Sequence, residues 1–324
     1  MTAWQDRIRI DQTGGPEVLR LVQAKVPVPG PGEITVRIAA AGVNFIETYQ
    51  RSGVYPVTLP VFPGGEASGY VHQIGEGVTG FTQGELVATA EGAGTYAEYT
   101  VLDAERLVKV PLGVDPITAA AVPLQGFTAH YLVNDSYRVR EGDTILTTAG
   151  AGGVGQLLTQ MLKAKGATVI TTTSSAAKAA IASAAGADHV LRYEDVPAAV
   201  RDRTDGVGVN AVYDGVGLST FDSSLLSLRR RGTMVLFGGA SGQVPPFDLQ
   251  RLNALGSLSV TRPKLGDFLA NPRERAWRAE EVFGAVADGS LRIDVGERFA
   301  LRDAGLAHAA LEGRGTVGKV VLVP

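Results

Sequence analysis

The sequence predicts an α/β protein in two parts, a mainly β segment followed by a doubly wound parallel sheet. Two patterns carry this prediction. Between Ile8 and Val110, short apolar runs alternate with glycine and proline turns, whereas beyond Pro123 strand-like and helix-like runs alternate. The length of 324 residues is enough for about two domains, and the content of 45% hydrophobic and 19% charged residues is typical of chains with a sizeable core.

In the mainly β segment, apolar and polar residues alternate over 34–40, which predicts a strand with one buried face. Short strands separated by frequent glycine turns are typical of a compact, partly closed barrel. At the end of the segment, Asp115 precedes Pro116 and a run of small residues. This order predicts a helix that Asp115 caps and in which Pro116 takes the first position.

The most informative stretch lies at the start of the second part. An apolar run at 144–149 predicts a buried strand, and Gly150, Gly152 and Gly155 follow at once in the spacing G-x-G-x-x-G. A helical pattern over 156–165 comes next. Strand, glycine turn and helix together form the dinucleotide-binding fingerprint, in which backbone N–H groups and the helix N-terminus face a pyrophosphate. A glycine-rich turn without a ligand is the alternative.

The second part continues in the same alternating pattern. Strands are predicted at 144–149, 168–173, 189–193, 209–214, 233–237 and 258–261, with helices between most of them, for instance at 176–185 and 220–229. This is the pattern of a Rossmann-type parallel sheet of about six strands. A helix at 273–288 and short strands near Phe299 and at 319–323 follow, and we expect this tail to return to the first part.

The end of the second strand of the sheet indicates which dinucleotide binds. NAD-binding proteins usually carry Asp or Glu there, about 20 residues after the first glycine, to hold the ribose 2′-hydroxyl. Here Ser174 and Ser175 take that place, and Lys178 follows on the same helical face as Ser174. Two hydroxyls and an ammonium at a helix N-terminus suit a phosphate, which favours NADPH. The alternative is that Ser174 only caps the helix and Lys178 is solvated.

Composition excludes several other classes of function. The chain has no cysteine, so disulfides, thiolate catalysis and sulfur-rich zinc sites are ruled out. The formal net charge is −3 without a long run of like charges, and no nucleic-acid or membrane-surface partner is expected. The N-terminus has no apolar signal core and no apolar stretch of about 18 residues occurs, so we expect a soluble, cytoplasmic protein.

Three motifs resemble one known family. They are AGAGGVG at 149–155, GADHVLRYED at 186–195 and, most specifically, NFIETYQRSGVYP at 44–56. Together they resemble the zinc-independent, zeta-crystallin-like quinone oxidoreductases of the medium-chain dehydrogenase/reductase superfamily, and the resemblance extends over essentially the whole chain. It implies a GroES-like β-barrel catalytic domain into which a Rossmann dinucleotide-binding domain is inserted. The implied limits are 1–123 with 264–324 for the former, and 124–263 for the latter.

The resemblance also implies a cleft for the nicotinamide and the acceptor. Its lining comes from the most specific motif: Asn44, Phe45, Ile46 and Tyr49, with Tyr55 at the mouth. Asn44 and Tyr49 can hydrogen-bond an acceptor oxygen, and a phenol can act as a weak acid. Asn44, Tyr49 and Tyr55 are therefore the catalytic candidates. For both tyrosines, packing in the core or at the rim is the alternative.

The cofactor contacts that the resemblance implies form three groups. At the nicotinamide and the pyrophosphate they are Thr128, Tyr131, Gly153 and Val154. At the adenine end they are Ser174, Ser175 and Lys178 for the 2′-phosphate, with Tyr193 beside the adenine. Along and over the dinucleotide they are Val216, Gly238, Gly239, Ala240, Ser241, Pro263, Lys264, Leu265 and Arg314. The family often has glycine in place of Ser174, and asparagine or serine in place of Gly239 and Ala240.

Zinc-dependent relatives carry a Gly-His-Glu motif whose histidine binds the catalytic zinc. At that position this chain has Gly64, Gly65 and Glu66, and its four histidines are dispersed along the sequence. No metal is therefore expected. Glu66 is interpreted either as a general acid or as a structural carboxylate that is paired within the fold.

The expected lack of a metal limits the reaction. Reducing a simple ketone needs the developing alkoxide to be stabilised, whereas a quinone or an enone delocalises the charge. We therefore expect NADPH-dependent reduction of quinones by hydride or electron transfer. An NADPH-dependent C=C reductase of α,β-unsaturated carbonyls is the first alternative, and a non-catalytic, crystallin-like or RNA-binding role is the second. The resemblance also implies a homodimer or homotetramer, with which an exposed sheet edge near 258–261 is compatible.

Overall fold

The computed structural model describes residues 3–313 and 315–324, which form two compact units. The first unit, here called the catalytic unit after the role that the resemblance implies for it, contains the chain up to Gln125 together with Ala270–Pro324. The second, here called the nucleotide unit, is Gly126–Leu269. The domain limits given from the sequence stay a prediction.

The N-terminal part of the catalytic unit is β-structure, as its turn-rich pattern predicts. Two strands, β1 (Trp4–Arg9) and β2 (Arg20–Lys25), pair antiparallel as a separate small sheet. The larger sheet receives five strands from this part of the chain: β3 (Glu33–Val43), β4 (Glu66–Ile74), β5 (Leu86–Thr89), β6 (Tyr99–Asp103) and β7 (Val108–Lys109). The alternation over 34–40 falls inside β3, whose apolar residues Ile34, Val36 and Ile38 are buried.

Two helices follow strand or turn segments of this unit. Helix α1 (Phe45–Ser52) begins directly after β3 and ends at Gly53, whose positive φ of 82° only glycine adopts readily. Helix α2 (Pro116–Ala120) begins as predicted, because the Asp115 side chain accepts hydrogen bonds from the backbone N–H groups of Ile117 and Thr118.

Helix α3 (Pro123–Tyr131) carries the chain into the nucleotide unit and continues as a π-helical turn, Leu132–Ser136. Six parallel strands follow: β8 (Thr144–Thr147), β9 (Thr168–Thr172), β10 (His189–Leu191), β11 (Val209–Asp214), β12 (Leu228–Leu236) and β13 (Ser259–Thr261). Their order in the sheet is β10-β9-β8-β11-β12-β13. The predicted doubly wound, six-stranded parallel sheet is confirmed.

Five helices accompany these strands: α4 (Gly153–Ala164), α5 (Ala176–Ala184), α6 (Val196–Asp202), α7 (Phe221–Ser227) and α8 (Gln250–Ala254). One boundary differs clearly from the prediction. The helix predicted at 220–229 ends at Ser227, and β12 begins at Leu228 rather than at 233. Leu228 is extended, buried and paired with Val209, so strand pairing overrides the helical pattern of the local sequence.

The C-terminal tail belongs to the catalytic unit. It contains α9 (Pro272–Ala287), β14 (Val295–Ala300), α10 (Ala304–Glu312) and β15 (Lys319–Val323). Strand β15 pairs antiparallel with β3, and β14 pairs parallel with β15. The order of the larger sheet is β14-β15-β3-β4-β5-β7, with β6 also on β3. The predicted return of the tail to the first part is confirmed.

Each unit has its own hydrophobic core. In the catalytic unit, residues of β3 pack with those of β4, β15 and α10, whereas in the nucleotide unit the core lies against the sheet under α6 and α7. Short 3₁₀ turns complete the structure at Pro16–Val18, Ala104–Arg106, Leu265–Phe268 and Leu301–Asp303. Over the described residues, every helix is too short or too polar to cross a bilayer.

Candidate functional site

The glycine turn between β8 and α4 needs its glycines for close packing. A Cβ on Gly150 would lie 2.2 Å from Thr171 Oγ1, and one on Gly155 would lie 2.4 Å from the Ala149 carbonyl oxygen. Gly152 is the N-cap of α4, so Gly153 and Val154 form its first turn. The glycines of this turn carry no side chains, and no side chain caps the N-terminus of α4. The backbone N–H groups of the turn can therefore bind a phosphate.

The segment after β9 begins the second phosphate-binding candidate. Ser175, not Ser174, is the N-cap of α5, because its Oγ accepts a hydrogen bond from the Lys178 backbone N–H at 3.2 Å. Ser174 is exposed just before the cap. Tyr193 follows β10, which lies beside β9 in parallel register. The residues assigned to the adenine end therefore leave neighbouring strands at the same edge of the sheet, although their roles stay predictions.

A buried carboxylate supports the turn after β11. Asp214 is 0% exposed, and its oxygens accept hydrogen bonds from the backbone N–H groups of Val216 (2.8 Å) and Gly217 (3.1 Å). Hydroxyl groups donate the others: Thr148 at 3.2 Å, Thr220 at 2.8 and 2.9 Å, and Ser224 at 2.7 Å. Hydrogen bonds to a charged acceptor are stronger than neutral ones, so this cage fixes the turn that carries Val216.

A second turn, 238–242, is joined to the turn that carries Val216. The Ser241 backbone N–H and its hydroxyl both donate to the Val216 carbonyl at 2.8 Å, and Ser241 Oγ accepts the Ser219 N–H at 3.0 Å. Gly238 is required because a Cβ there would lie 2.4 Å from the Gly215 carbonyl oxygen. Gly239 and Ala240 are half-buried in the same turn. The two turns therefore form one preorganised backbone surface.

The other cofactor candidates of the nucleotide unit differ in exposure. Thr128 and Tyr131 are buried on α3, and the Tyr131 ring stacks on Phe268 with centroids 4.3 Å apart. Pro263 is buried, Lys264 is exposed with its ammonium 3.2 Å from Asp267, and Leu265 opens the 3₁₀ turn that follows. Arg314 lies outside the described residues. The cofactor roles of all these residues stay predictions.

In the catalytic unit, Asn44 lies in a ring of buried polar side chains. The Lys319 ammonium donates to Asn44 Oδ1 and to Glu66 Oε2, both at 2.5 Å, and Asn44 Nδ2 donates to the same Glu66 oxygen at 3.0 Å. The exposed fractions are 1% for Lys319, 0% for Glu66 and 6% for Asn44. The other Glu66 oxygen accepts the Leu124 N–H at 2.8 Å. Of the two interpretations of Glu66, the paired structural carboxylate is the one observed.

A second buried carboxylate adjoins this ring. Glu47 Oε2 accepts the backbone N–H of Asn44 at 2.8 Å, and Oε1 accepts that of Gly65 at 3.2 Å. Burial raises the pKa of Glu47 to about 7, while the Lys319 ammonium pulls in the opposite direction and Glu66 adds to the rise. Glu47 therefore holds the start of α1 and titrates near neutral pH.

The aromatic candidates in α1 and shortly after it pack on one another. The rings of Tyr49 and Tyr55 meet edge to face with centroids 5.4 Å apart, and Phe45 lies 6.2 Å from Tyr49. Ile46 is exposed, whereas Phe45, Tyr49 and Tyr55 are half-buried. This contact is compatible with packing and with an acceptor role alike, so the catalytic assignment of both tyrosines stays a prediction.

The four histidines differ in burial and in partners. His308 is buried, its Nε2 lies 3.2 Å from the hydroxyl of Tyr96, and burial together with nearby Arg51 lowers its pKa to about 3. His130 is buried beside Asn134, His72 packs on Tyr99, and His189 is exposed. Among residues 3–313 and 315–324, no three His, Asp or Glu side chains converge as metal ligands do.

Sequence reasoning missed two residues that organise these sites, Lys319 and Asp214. Lys319 opens a strand of otherwise apolar residues, and a lysine beside a fully apolar run was the available signal. Asp214 ends a buried strand directly before a glycine turn. Neither signal identifies the hydrogen-bond partners of these two side chains, because the partners come from distant or irregular parts of the chain.

Comparison with known proteins agrees with this architecture. Residues 30–112 match the family model of the alcohol dehydrogenase GroES-like domain, and residues 153–279 match that of the zinc-binding dehydrogenases. A quinone oxidoreductase of Pseudomonas aeruginosa is 44% identical over 98% of this chain and 99% of its own length. A 2-haloacrylate reductase of Burkholderia is 39% identical, with 97% and 98% covered.

Among solved structures, a mycobacterial protein in complex with NADPH is 49% identical, with a TM-score of 0.96 over 98% of this chain and 100% of its own. A GroES-like unit combined with a parallel nucleotide-binding sheet defines the medium-chain dehydrogenase/reductase architecture. Within it, the chain belongs to the quinone oxidoreductase family.

Proposed function

We propose that this protein reduces quinones with NADPH. The observation that carries the proposal lies at the carboxyl edge of the parallel sheet. A glycine turn without side chains precedes α4 there. After β9 the chain has serines and a lysine instead of a carboxylate. When bound, NADPH supplies the hydride. Relatives named quinone oxidoreductases and the NADPH complex of the mycobacterial relative support this assignment.

The choice of NADPH over NADH rests on Ser174, Ser175 and Lys178. A carboxylate at this place would repel a 2′-phosphate, whereas the cap of α5 offers a helix N-terminus with a lysine in its first turn. Gly153 and Val154 at the start of α4 serve the pyrophosphate in the same way. Val216 and 238–241 contribute the backbone surface that the Asp214 cage and Ser241 hold in place.

Lys178→Ala tests the cofactor assignment. Because only NADPH carries the 2′-phosphate, we expect the variant to weaken NADPH binding at least tenfold while NADH binding changes less than twofold, both by titration calorimetry. Lys165→Ala, at the C-terminal end of α4, is the matched control and should change neither affinity. Equal losses for both cofactors would contradict the 2′-phosphate site.

On the acceptor side, we propose a metal-independent reaction. A conjugated acceptor spreads the developing charge, so the protein needs to align and hydrogen-bond it rather than to supply a Lewis acid. Asn44, Tyr49 and Tyr55 of the catalytic unit are the residues that we assign to this task. Steady-state assays of the purified protein with a panel of quinones, with and without added zinc or chelator, test this proposal; zinc-dependent turnover would contradict it.

A C=C reductase is the second candidate, because one close relative is named a 2-haloacrylate reductase. It would place hydride on carbon of an α,β-unsaturated carbonyl and a proton on the neighbouring carbon. Assays with 4-deuterated NADPH distinguish the two, since deuterium appears on product carbon only in C=C reduction. Reduction of quinones without reduction of enones would contradict the C=C reductase, and the quinone reductase would be the candidate that remains.

We further propose a cytoplasmic homo-oligomer. Strand β13 is the last strand of the parallel sheet and pairs only with β12, so its outer edge can pair with a second copy. Val260 is exposed on this strand. Val260→Lys should lower the mass measured by analytical ultracentrifugation to that of one chain. An unchanged oligomer mass would contradict the proposal that two copies pair along this edge.

A further inference from the structure

In the ring of Lys319, Glu66 and Asn44 in the catalytic unit, one amide hydrogen of Asn44 has only a weak partner. We infer that Lys319 is a positioning residue for the reduction. Together with Glu66 it locks the Asn44 amide so that an Nδ2–H is offered to the carbonyl oxygen of the quinone or enone. This inference rests on the proposed function, since it needs an acceptor carbonyl.

The hydrogen-bonding capacity of the ring can be counted. Asn44 Oδ1 accepts from the Lys319 ammonium, and one Nδ2 hydrogen goes to Glu66 Oε2. The second Nδ2 hydrogen has only the Gly42 carbonyl oxygen near it among the described residues, with the N···O distance at 3.5 Å. That distance is beyond the usual range of an N–H···O bond. The Asn44 amide therefore retains one N–H donor whose hydrogen bond within the fold is weak.

The ring also decides which way the amide faces. An ammonium only donates, so the amide atom that faces Lys319 must be the oxygen. An ionised carboxylate only accepts, so the atom that faces Glu66 must be the nitrogen. Each partner alone fixes the orientation, and both agree. A flipped Asn44 would set its NH₂ group against the Lys319 ammonium, at a site where both side chains are buried.

The cation also strengthens the donor. An amide whose oxygen is bound to an ammonium is polarised, and this polarisation makes its N–H hydrogens better donors. With Lys319 and Glu66 almost completely buried, little solvent screens the effect. A preorganised donor of this kind stabilises negative charge that develops on an acceptor oxygen.

The chain makes room for this ring. A Cβ on Gly42 would lie 2.1 Å from Glu66 Oε2 and 2.9 Å from Lys319 Cε, so any residue other than glycine must displace one of these side chains. A buried ion pair contributes little to stability compared with apolar residues that fill the same volume. Its presence beside Asn44 therefore calls for a role in positioning. In another largely buried pair of the same unit, Arg275 with Glu91, the guanidinium also donates to the backbone carbonyl of Glu105.

The test uses the full chain and two kinds of measurement. Lys319→Met keeps the length of the side chain and removes its charge. In spectra of protein labelled with ¹⁵N-asparagine, assigned by the loss of signal in Asn44→Asp, we expect the Asn44 side-chain amide of the wild type to be shifted downfield and slow to exchange. In Lys319→Met the amide should lose both properties. We also expect kcat for quinone reduction to fall at least about tenfold, with the KM for NADPH unchanged.

Two further variants make the outcome decisive. Lys319→Met with Glu66→Gln removes both charges, so it restores folding if the single variant is unstable, yet it should keep the low kcat. Arg275→Met, the control, should leave the amide signal and kcat unchanged. A folded double variant with wild-type kcat would overturn the inference alone. A wild type that reduces neither quinones nor enones, with the amide signal intact, would instead overturn the proposed function and the acceptor role of Asn44 with it.

Discussion

Each unit contains one carboxylate that is 0% exposed, Glu66 in the catalytic unit and Asp214 in the nucleotide unit, and the two are balanced in opposite ways. Glu66 of the catalytic unit faces the Lys319 ammonium, whereas every hydrogen-bond partner of Asp214 in the described chain is a neutral hydroxyl or backbone N–H. Most donors to Asp214 come from the ten residues that follow it, but Lys319 is 253 residues away from Glu66. One carboxylate organises a local turn, and the other joins distant strands.

This difference teaches what each site tolerates. Removing the charge of Asp214 leaves neutral donors, and its hydroxyl partners can rotate to new acceptors. Removing the charge of Glu66 leaves the buried Lys319 ammonium without a counter-charge, and rotation of the ammonium does not supply one. When the charge is removed, we therefore expect the turn around Asp214 in the nucleotide unit to lose only part of its rigidity. We expect the ring in the catalytic unit to be disrupted as a whole.

The largest expected effect is that of Glu66→Gln compared with Asp214→Asn. We expect Glu66→Gln to lower the free energy of unfolding by about 3–5 kcal/mol, because it leaves the Lys319 charge uncompensated. Asp214→Asn should lower it by about 1–3 kcal/mol, since charge-assisted hydrogen bonds become neutral ones. Urea unfolding of both variants measures the difference. The reverse order would contradict the distinction between the two carboxylates.

The next effect is a pH dependence from Glu47, the carboxylate beside the ring. Its pKa is about 7 in the folded protein and 4.5 as the ordinary value, so between these pH values the folded state binds the proton that the unfolded state has lost. Stability is therefore greatest below pH 4.5 as far as this group is concerned, and it falls as pH rises to about 7, by on the order of 3 kcal/mol.

Glu47→Gln should remove this pH dependence. The check is urea unfolding at several pH values between 4.5 and 8 for wild type and variant, with the difference between the two curves assigned to Glu47. A difference that stays constant with pH would show that Glu47 does not titrate in this range.

A smaller effect tests how tightly the ring is packed. Gly42→Ala should cost about 1–3 kcal/mol, because the new Cβ must displace Glu66 or Lys319. Gly284→Ala is the matched control in the same unit: it lies within α9 with no atom near its Cβ position, so it should stabilise the protein by about 0.5–1 kcal/mol. Thermal unfolding of the pair gives the sign of each change, and a Gly42→Ala variant as stable as the wild type, or more stable, would contradict the tight packing at Gly42.

The smallest effect concerns the turns of the nucleotide unit. Ser241→Ala removes the two side-chain hydrogen bonds that join 238–242 to the turn of Val216. We expect a loss of stability of about 1–2 kcal/mol and an equal weakening of NADPH and NADH binding, since backbone placement serves both cofactors. Fluorescence titrations with the two cofactors measure this. A loss confined to NADPH would instead assign Ser241 to the 2′-phosphate.

Much of the fold could be predicted from the sequence because its signals are local. The glycine spacing at 150–155, the alternation of strands and helices after Pro123, and the cap at Asp115 each lie within a few turns of chain. Where tertiary pairing competes with local pattern, the prediction was wrong. Leu228 belongs to β12 because its pairing with Val209 and its burial outweigh helical propensity.

The sequence by itself therefore determined the two-part architecture, the dinucleotide fingerprint and the family to which the chain is similar, because these depend on spacing between near neighbours. Only the tertiary structure decided that Lys319 meets Asn44, 275 residues earlier, and that Glu66 lies between them. A contact of that kind depends on which strands pair and on the space that Gly42 leaves, and neither is encoded in any short stretch of residues.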